Sequence, residues 1–263
     1  MRGSLFAVVA ATLLAGSAFA GDGETAATLR DKALSDSTAW NVLEGLTTEI
    51  GARPIGTPAN KAARDWLIAR LKALGFVNVH AEQFAKPSWH RGKESAEIVG
   101  AYPRKLVIIG LGETVPTPKK GIEASIVVLG SYAELLAAPP GAFAGKIVVV
   151  NQPMTRTEDG SGYGAAVPAR SGDSEAAKRG AVAYLVRSIS TGDTREPHTG
   201  GTFLPAGAPR IPAAALSVPD AELLAHLAAR GPVRVRLNLQ SHVDAKSVAW
   251  NVSGEIPGSA KPR

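Results

Sequence analysis

Residues 51–76, GARPIGTPANKAARDWLIARLKALGF, decide how the front of this chain folds. Gly51, Pro54 and Gly56 make a turn, and Thr57 stands where a hydroxyl can accept from the first free amides of a helix. Pro58 follows at the first helical position, where a missing N–H costs nothing. Trp66, Leu67, Leu71 and Leu74 give that helix one apolar side, and Gly75 closes it. Arg53, between two helices and just ahead of the cap, is placed to satisfy helix-end carbonyls.

Working upstream, helix is also predicted from about Glu24. Ser35-Asp36-Ser37 offers N-caps, Trp40, Leu43, Leu46 and Ile50 recur at helical spacing, and Gly51 stops the run. Downstream, Val77, Val79 and Ala81 alternate with Asn78, His80 and Glu82 as a strand. After Pro87 the texture changes. Short β-type runs (Leu106–Ile109, Ser125–Leu129, Lys146–Val150, Val182–Val186, Ala213–Leu216) alternate with glycine and proline turns. Two short helices interrupt them, from Ser174 to Arg179 and from Pro219 to Arg230. A Ser217-x-x-Asp220 capping box opens the second. Val233, Val235, Leu237 and Leu239 then alternate with Arg234, Arg236 and Asn238, a strand with one wet face. Ser247–Ile256 is a last strand pattern, ended by Pro257-Gly258-Ser259, and its hairpin partner is expected to be missing. The fold class is α+β: a helical front over residues 21–95, a compact β-barrel-like insert over 96–245, and a returning strand over 246–263.

Residues 1–20 form an export address. Arg2 supplies a positive start, Leu5 to Leu14 is too short an apolar run to cross a bilayer, and Ala18-Phe19-Ala20 is a small-x-small cleavage pattern. Gly21-Asp22-Gly23 is expected to break any helix there. The remainder, exported to a periplasmic or extracellular space, needs no membrane after cleavage. The chain contains no cysteine, which excludes disulfides, thiolate zinc ligands and a cysteine nucleophile. Its net charge of +6 comes from basic residues scattered among acids, so nucleic acid is a poor partner.

The 51–76 stretch resembles the opening of the two-zinc aminopeptidase and carboxypeptidase family, Gly-x-Arg-x-x-Gly-Ser/Thr followed by a helix ending in Leu-Gly. The likeness continues through Pro87-Ser88-Trp89-x-Arg91-Gly92-Lys93-Glu94-Ser95, Gly145-Lys146 to Pro153, and Glu175 to Ala183. It runs on through Arg187-Ser188, Pro197-His198-Thr199-Gly200, and Ile211-Pro212-Ala213 to Asp220-Ala221-Glu222. In this order they resemble the carboxypeptidase Q branch, over nearly all of the mature chain. The resemblance implies an α/β zinc-peptidase domain interrupted by a protease-associated (PA) domain, here the insert at 96–245. It implies a secreted exopeptidase acting on dipeptides or short peptides with two zinc ions. It also implies that the metal ligands and general base lie beyond Arg263, so this chain alone holds no catalytic residue and no metal or other cofactor, and its partners are peptide substrate and the missing catalytic half. A homodimer is left open. The other reading is a non-catalytic PA-type module that binds peptides or a protein.

His242-Val243-Asp244 imitates a ligand pair but offers two groups where zinc needs three or four, and it sits at a domain border, as a solvated linker. The substrate-side candidates are Arg187 and the His198-Thr199-Gly200 turn. Arg187 ends an apolar run, and a guanidinium can grip a peptide carboxylate in bidentate fashion. A local acid pair for Arg187 and a loop-supporting role for His198 are equally weighted. Gly160-Ser161-Gly162-Tyr163-Gly164 is expected to be a flexible loop without phosphate-binding character. Ser188 and His198 lack a nucleophile-elbow sequence.

Overall fold

The computed structural model describes residues 17–258. The apolar run Leu5–Leu14 lies outside the described residues. Contacts divide the chain into one unit made of the segments up to Phe84 and from Val248, and a second unit, Ala85–Ser247.

The first unit opens with α1 (Ser17–Ser35). The glycines at 21 and 23 fall inside this helix instead of breaking it. Each costs about 1 kcal/mol against alanine, and the good helix formers Ala26, Ala27 and Leu29 follow directly. α2 (Thr38–Gly45) starts where the Asp36 carboxylate accepts from the Thr38 amide at 2.7 Å, so Asp36 caps a helix whose N-cap Ser37 makes no capping bond with its side chain. A π-turn over Leu46–Ile50 extends it to Gly51, whose φ of 75° ends the run. Trp40 and Leu43 remain 65% and 54% exposed while Leu46 and Ile50 are half-buried, so the apolar stripe predicted here is covered only in its second half.

α3 (Pro58–Ala73) is built as its sequence dictates. Thr57 Oγ1 accepts from the Asn60 amide at 3.2 Å, and Arg53 donates to the carbonyls of Leu46 and Gly51 at 3.2 and 2.9 Å. At the far end Gly75 turns left-handed (φ 86°) while the Phe76 amide reaches the Leu71 carbonyl and the Gly75 amide that of Lys72. β1 (Val77–Ala85) follows, and pairs with β12 (Val248–Glu255) in a two-stranded sheet. The last strand, expected to lack a neighbour, therefore has one, contributed from the far side of the insert in sequence.

The second unit contains β2 (Ser88–His90), β3 (Glu94–Val99), β4 (Arg104–Leu106), β5 (Ile108–Gly110) and β6 (Ile122–Leu129). After α4 (Tyr132–Ala137) come β7 (Ile147–Val150), α5 (Ser161–Ala166), α6 (Asp173–Lys178) and β8 (Ala183–Arg187). β9 (Ala213–Leu216), α7 (Val218–Ala228), β10 (Arg234–Leu239) and β11 (His242–Asp244) complete it. β3 begins at Glu94, upstream of the border at 96 drawn from composition.

One eight-stranded sheet runs β4-β3-β10-β6-β7-β8-β9-β5. β6 to β9 are parallel and the flanking pairs antiparallel. The run predicted over 106–109 is thus two strands. β4 and β5 lie at opposite ends of the sheet yet only Val107 separates them in the chain, so the sheet must curl until its edges meet.

The parallel strands are apolar on both faces, as strands covered on both sides must be. Ile147, Val149, Leu185 and Leu216 pack with Leu224 of α7 and Val235 and Leu237 of β10. Val148, Val150, Tyr184 and Val186 pack on the other face with Leu135 of α4, Phe143 and Ala176 of α6. β10 keeps its wet face: Arg236 bridges Glu97 and Glu123 at 2.7 and 2.8 Å.

Candidate functional site

Arg187 closes β8, because the buried run Ala183–Val186 ends there and the next side chain reaches the sheet's carboxyl edge. Its guanidinium binds the Glu222 carboxylate on α7 at 2.8 Å and the Asn151 side-chain oxygen at 3.2 Å. The Arg187 side chain is 13% exposed and Glu222 59%, so the pair lies half in the unit and half in water. This is the local acid partner weighed against substrate contact in the sequence; Nε is buried without a partner.

Ser188 is fully buried. Its hydroxyl donates to the Leu216 carbonyl and accepts from the His198 amide at 2.8 Å. The serine therefore meets His198 through backbone, which is no nucleophile–base pair. Thr199 donates to the Gly110 carbonyl at 3.1 Å, the Gly112 amide donates to the Gly200 carbonyl at 2.7 Å, and the Thr202 amide returns to the Gly112 carbonyl at 2.9 Å. The structure so lays His198, Thr199 and Gly200 along the sheet edge at residues 110–112, whereas Arg187 ends β8 beside Leu216, level with Ile108 and away from Gly200.

Arg170 belongs to the same edge, and sequence reasoning passed over it. A Cβ on Gly200 would lie 2.5 Å from Cδ, Nε and Nη1 of Arg170, so the guanidinium rests flat on the glycine. Arg170 also donates to the Tyr163 hydroxyl at 3.2 Å, with Cζ 5.9 Å from that ring's centre. Tyr163 lies in α5, the helix that residues 161–166 form where a flexible loop was expected. Asp159 accepts the Ser161 amide at 3.0 Å, and Gly162 fits against the Thr155 carbonyl with no room for a side chain.

Asp220 was read only as part of a capping box. Its predicted capping box is half made: the Ser217 hydroxyl accepts the Asp220 amide, but the Asp220 carboxylate turns away to accept the Val107 amide at 2.7 Å and pair with Arg195 at 3.0 Å. Arg195 also donates to the Lys105 carbonyl at 2.9 Å. Asp220 thereby secures the β4–β5 junction and ties the segment that carries His198. A 510 Å³ cavity beside it is lined by Arg104, Lys105, Arg195, Pro219, Asp220 and Leu223.

His242-Val243-Asp244 is strand β11, not a linker, because it pairs antiparallel with β2. The rings of His242 and His90 stack with centres 5.1 Å apart. The Lys246 amide and the Ser247 hydroxyl hold the Asp244 carboxyl below its ordinary range, aided by the nearby histidines. His90 Nε2 faces the Ser88 hydroxyl at 2.8 Å. With the imidazoles stacked and the carboxylate oxygens engaged, this group does not fit a zinc ion. Among the described residues no three His, Asp or Glu side chains gather as a metal site.

No family model matches the chain. It is 38% identical to carboxypeptidase Q of Bos taurus over 232 residues, 87% of this chain and 47% of that protein. Against carboxypeptidase Q of Homo sapiens the identity is 34% over 232 residues, with the same coverage. Among solved structures it matches a peptidase M28 precursor from Shewanella amazonensis SB2B with a TM-score of 0.79 and 38% identity, covering 87% of this chain and 52% of that one. A zinc aminopeptidase from Bacillus subtilis shares the fold (TM-score 0.59, 18% identity, 86% of this chain and 48% of that one). Fold and matched sequence place the chain, by similarity, with the M28 peptidases. Among them, the chain is carboxypeptidase Q-like. It spans about half the length of the curated relatives it matches.

Proposed function

We propose that this chain is the N-terminal portion of an exported zinc exopeptidase that hydrolyses dipeptides or short peptides. The observation that carries the proposal is the 38% identity to carboxypeptidase Q joined to the 0.79 TM-score against an M28 peptidase. In this reading residues 1–20 are a cleaved signal, the curled sheet over 96–245 is the PA domain, and the flanks over 21–95 and 246–263 belong to the peptidase domain. Two zinc ions and the groups that hold them come from further sequence, together with the base that activates the attacking water. The surfaces left apolar on the first unit, Trp40 and Leu43 among them, support packing of that sequence there.

The insert's contribution is substrate choice. His198, Thr199 and Gly200 face substrate on a segment held by three anchors: the Ser188 hydroxyl, residues 110–112 and the Asp220–Arg195 pair. Arg187 acts from the carboxyl end of β8, its charge balanced by Glu222. The chain alone is inactive in this reading.

The test is to purify the chain and assay a panel of dipeptides with added zinc, beside a longer protein in which the reading frame continues past Arg263. Activity confined to the longer protein is expected. Turnover by the chain alone, or none by the longer protein, contradicts the proposal.

A further inference from the structure

With Arg187 engaged by Glu222, a peptide carboxylate needs a different guanidinium. Arg170 has the required surroundings. Among the described residues no carboxylate pairs with it, and its one hydrogen bond is to the neutral Tyr163 hydroxyl. Its position is set by two neighbours, Gly200 beneath and the Tyr163 ring beside. A guanidinium held in this way has lost part of the rotamer freedom that binding would otherwise remove, and it presents its donors in a fixed fork. Tyr163 is 43% exposed. An exposed aromatic face beside an uncompensated arginine matches the residue types that dominate binding energy at recognition surfaces.

We infer that Arg170, lying on Gly200 beside Tyr163, is the specificity-determining residue that takes a carboxylate of a peptide ligand. The inference rests on the peptidase reading for the class of ligand. It accounts for Gly200 in the turn. The backbone at 200 needs no left-handed conformation, and what the position requires is the absence of a side chain where the guanidinium lies. It also explains why Arg187, the more visible arginine in the sequence, is paired inside the unit while Arg170 is not.

The experiment is direct binding of two probes to the purified chain, followed by NMR titration. One probe is the free acid Ac-Phe-Glu; the other is Ac-Phe-Gln amide, which has no carboxylate. The native chain should prefer the acid at least tenfold, the loss that goes with one charge-assisted pair. Arg170→Gln should abolish the preference and Arg170→Lys should restore part of it. Gly200→Ala, whose Cβ would stand 2.5 Å from Cδ, Nε and Nη1 of Arg170, should displace the guanidinium, so the preference should fall while the circular dichroism spectrum is unchanged. Equal binding of the probes, a preference that survives Arg170→Gln, or no binding of either would overturn the inference. Each of those results leaves the peptidase reading to stand or fall on the turnover assay of the longer protein.

Discussion

Replacing Asp220 tests how the curled sheet is held shut. Its carboxylate is 4% exposed and accepts the Val107 amide at 2.7 Å, at the single residue separating the two edge strands. Asp220→Ala removes a hydrogen bond to a charged acceptor, about 1.5–3 kcal/mol, and leaves the Val107 amide without a partner. The Arg195 pair adds little, because that side chain is 52% exposed and can rehydrate; such half-exposed pairs contribute about 0.2–1 kcal/mol. The total is about 2–3 kcal/mol, or roughly 5–10 °C in midpoint for a unit of this size. Asp220→Asn keeps an oxygen for the amide and should lose about half as much. Arg195→Ala should cost under about 1 kcal/mol. Urea unfolding of the three variants, followed by tryptophan fluorescence and circular dichroism, measures these differences. A loss below about 0.5 kcal/mol for Asp220→Ala, or a larger loss for Arg195→Ala, refutes the reasoning.

Asp173 is fully buried, both its oxygens lack partners, and burial pushes its carboxyl above the ordinary range. A raised folded-state value means ionisation opposes folding, so Asp173→Asn should stabilise the chain at pH 7. That gain should shrink as pH falls toward the unfolded-state value, and thermal melts at pH 4 and 7 show whether it does. Leu224→Ala, in the α7 face of the core, should cost about 2–5 kcal/mol, whereas Trp40→Ser on the exposed stripe should stay within about 0.5 kcal/mol; chemical denaturation separates them. Exported material should begin at Gly21 by N-terminal sequencing. In the longer protein, Arg187→Ala should raise KM more than it lowers kcat if Arg187 holds substrate, and steady-state kinetics decide this.

Local chemistry made much of the fold legible. Thr57 and Gly75 bracket α3 because a hydroxyl cap and a left-handed closure act within a few residues. Arg53 meets the carbonyls it was assigned for the same reason. The alternation in β10 survives because one face is buried and the other carries charge pairs. What escaped depends on residues distant in sequence. Asp220 matches a capping box over four residues, but the amide that wins its carboxylate is 113 residues upstream. The partner of β12 is likewise β1, on the other side of the whole insert. In the candidate site, spacing singled out Arg187 and Gly200 but could not show Glu222 facing the first or Arg170 lying on the second. The one signal for Arg170 was a glycine turn close to aromatics with no local reason to be glycine. The helix through Gly21 and Gly23 shows the opposite failure, in which two weak penalties were weighed above the helix formers beside them.

In the proposed function the metal-binding groups lie outside this carboxypeptidase Q-like chain. Calorimetric titration of the purified chain with zinc, followed by dialysis against chelator, measures that directly. We predict at most weak uptake that chelator strips, from groups such as His242 and Asp244, which lack the surrounding ligands that fix a metal. A stoichiometric, chelator-resistant zinc that is lost on His242→Ala would contradict the account.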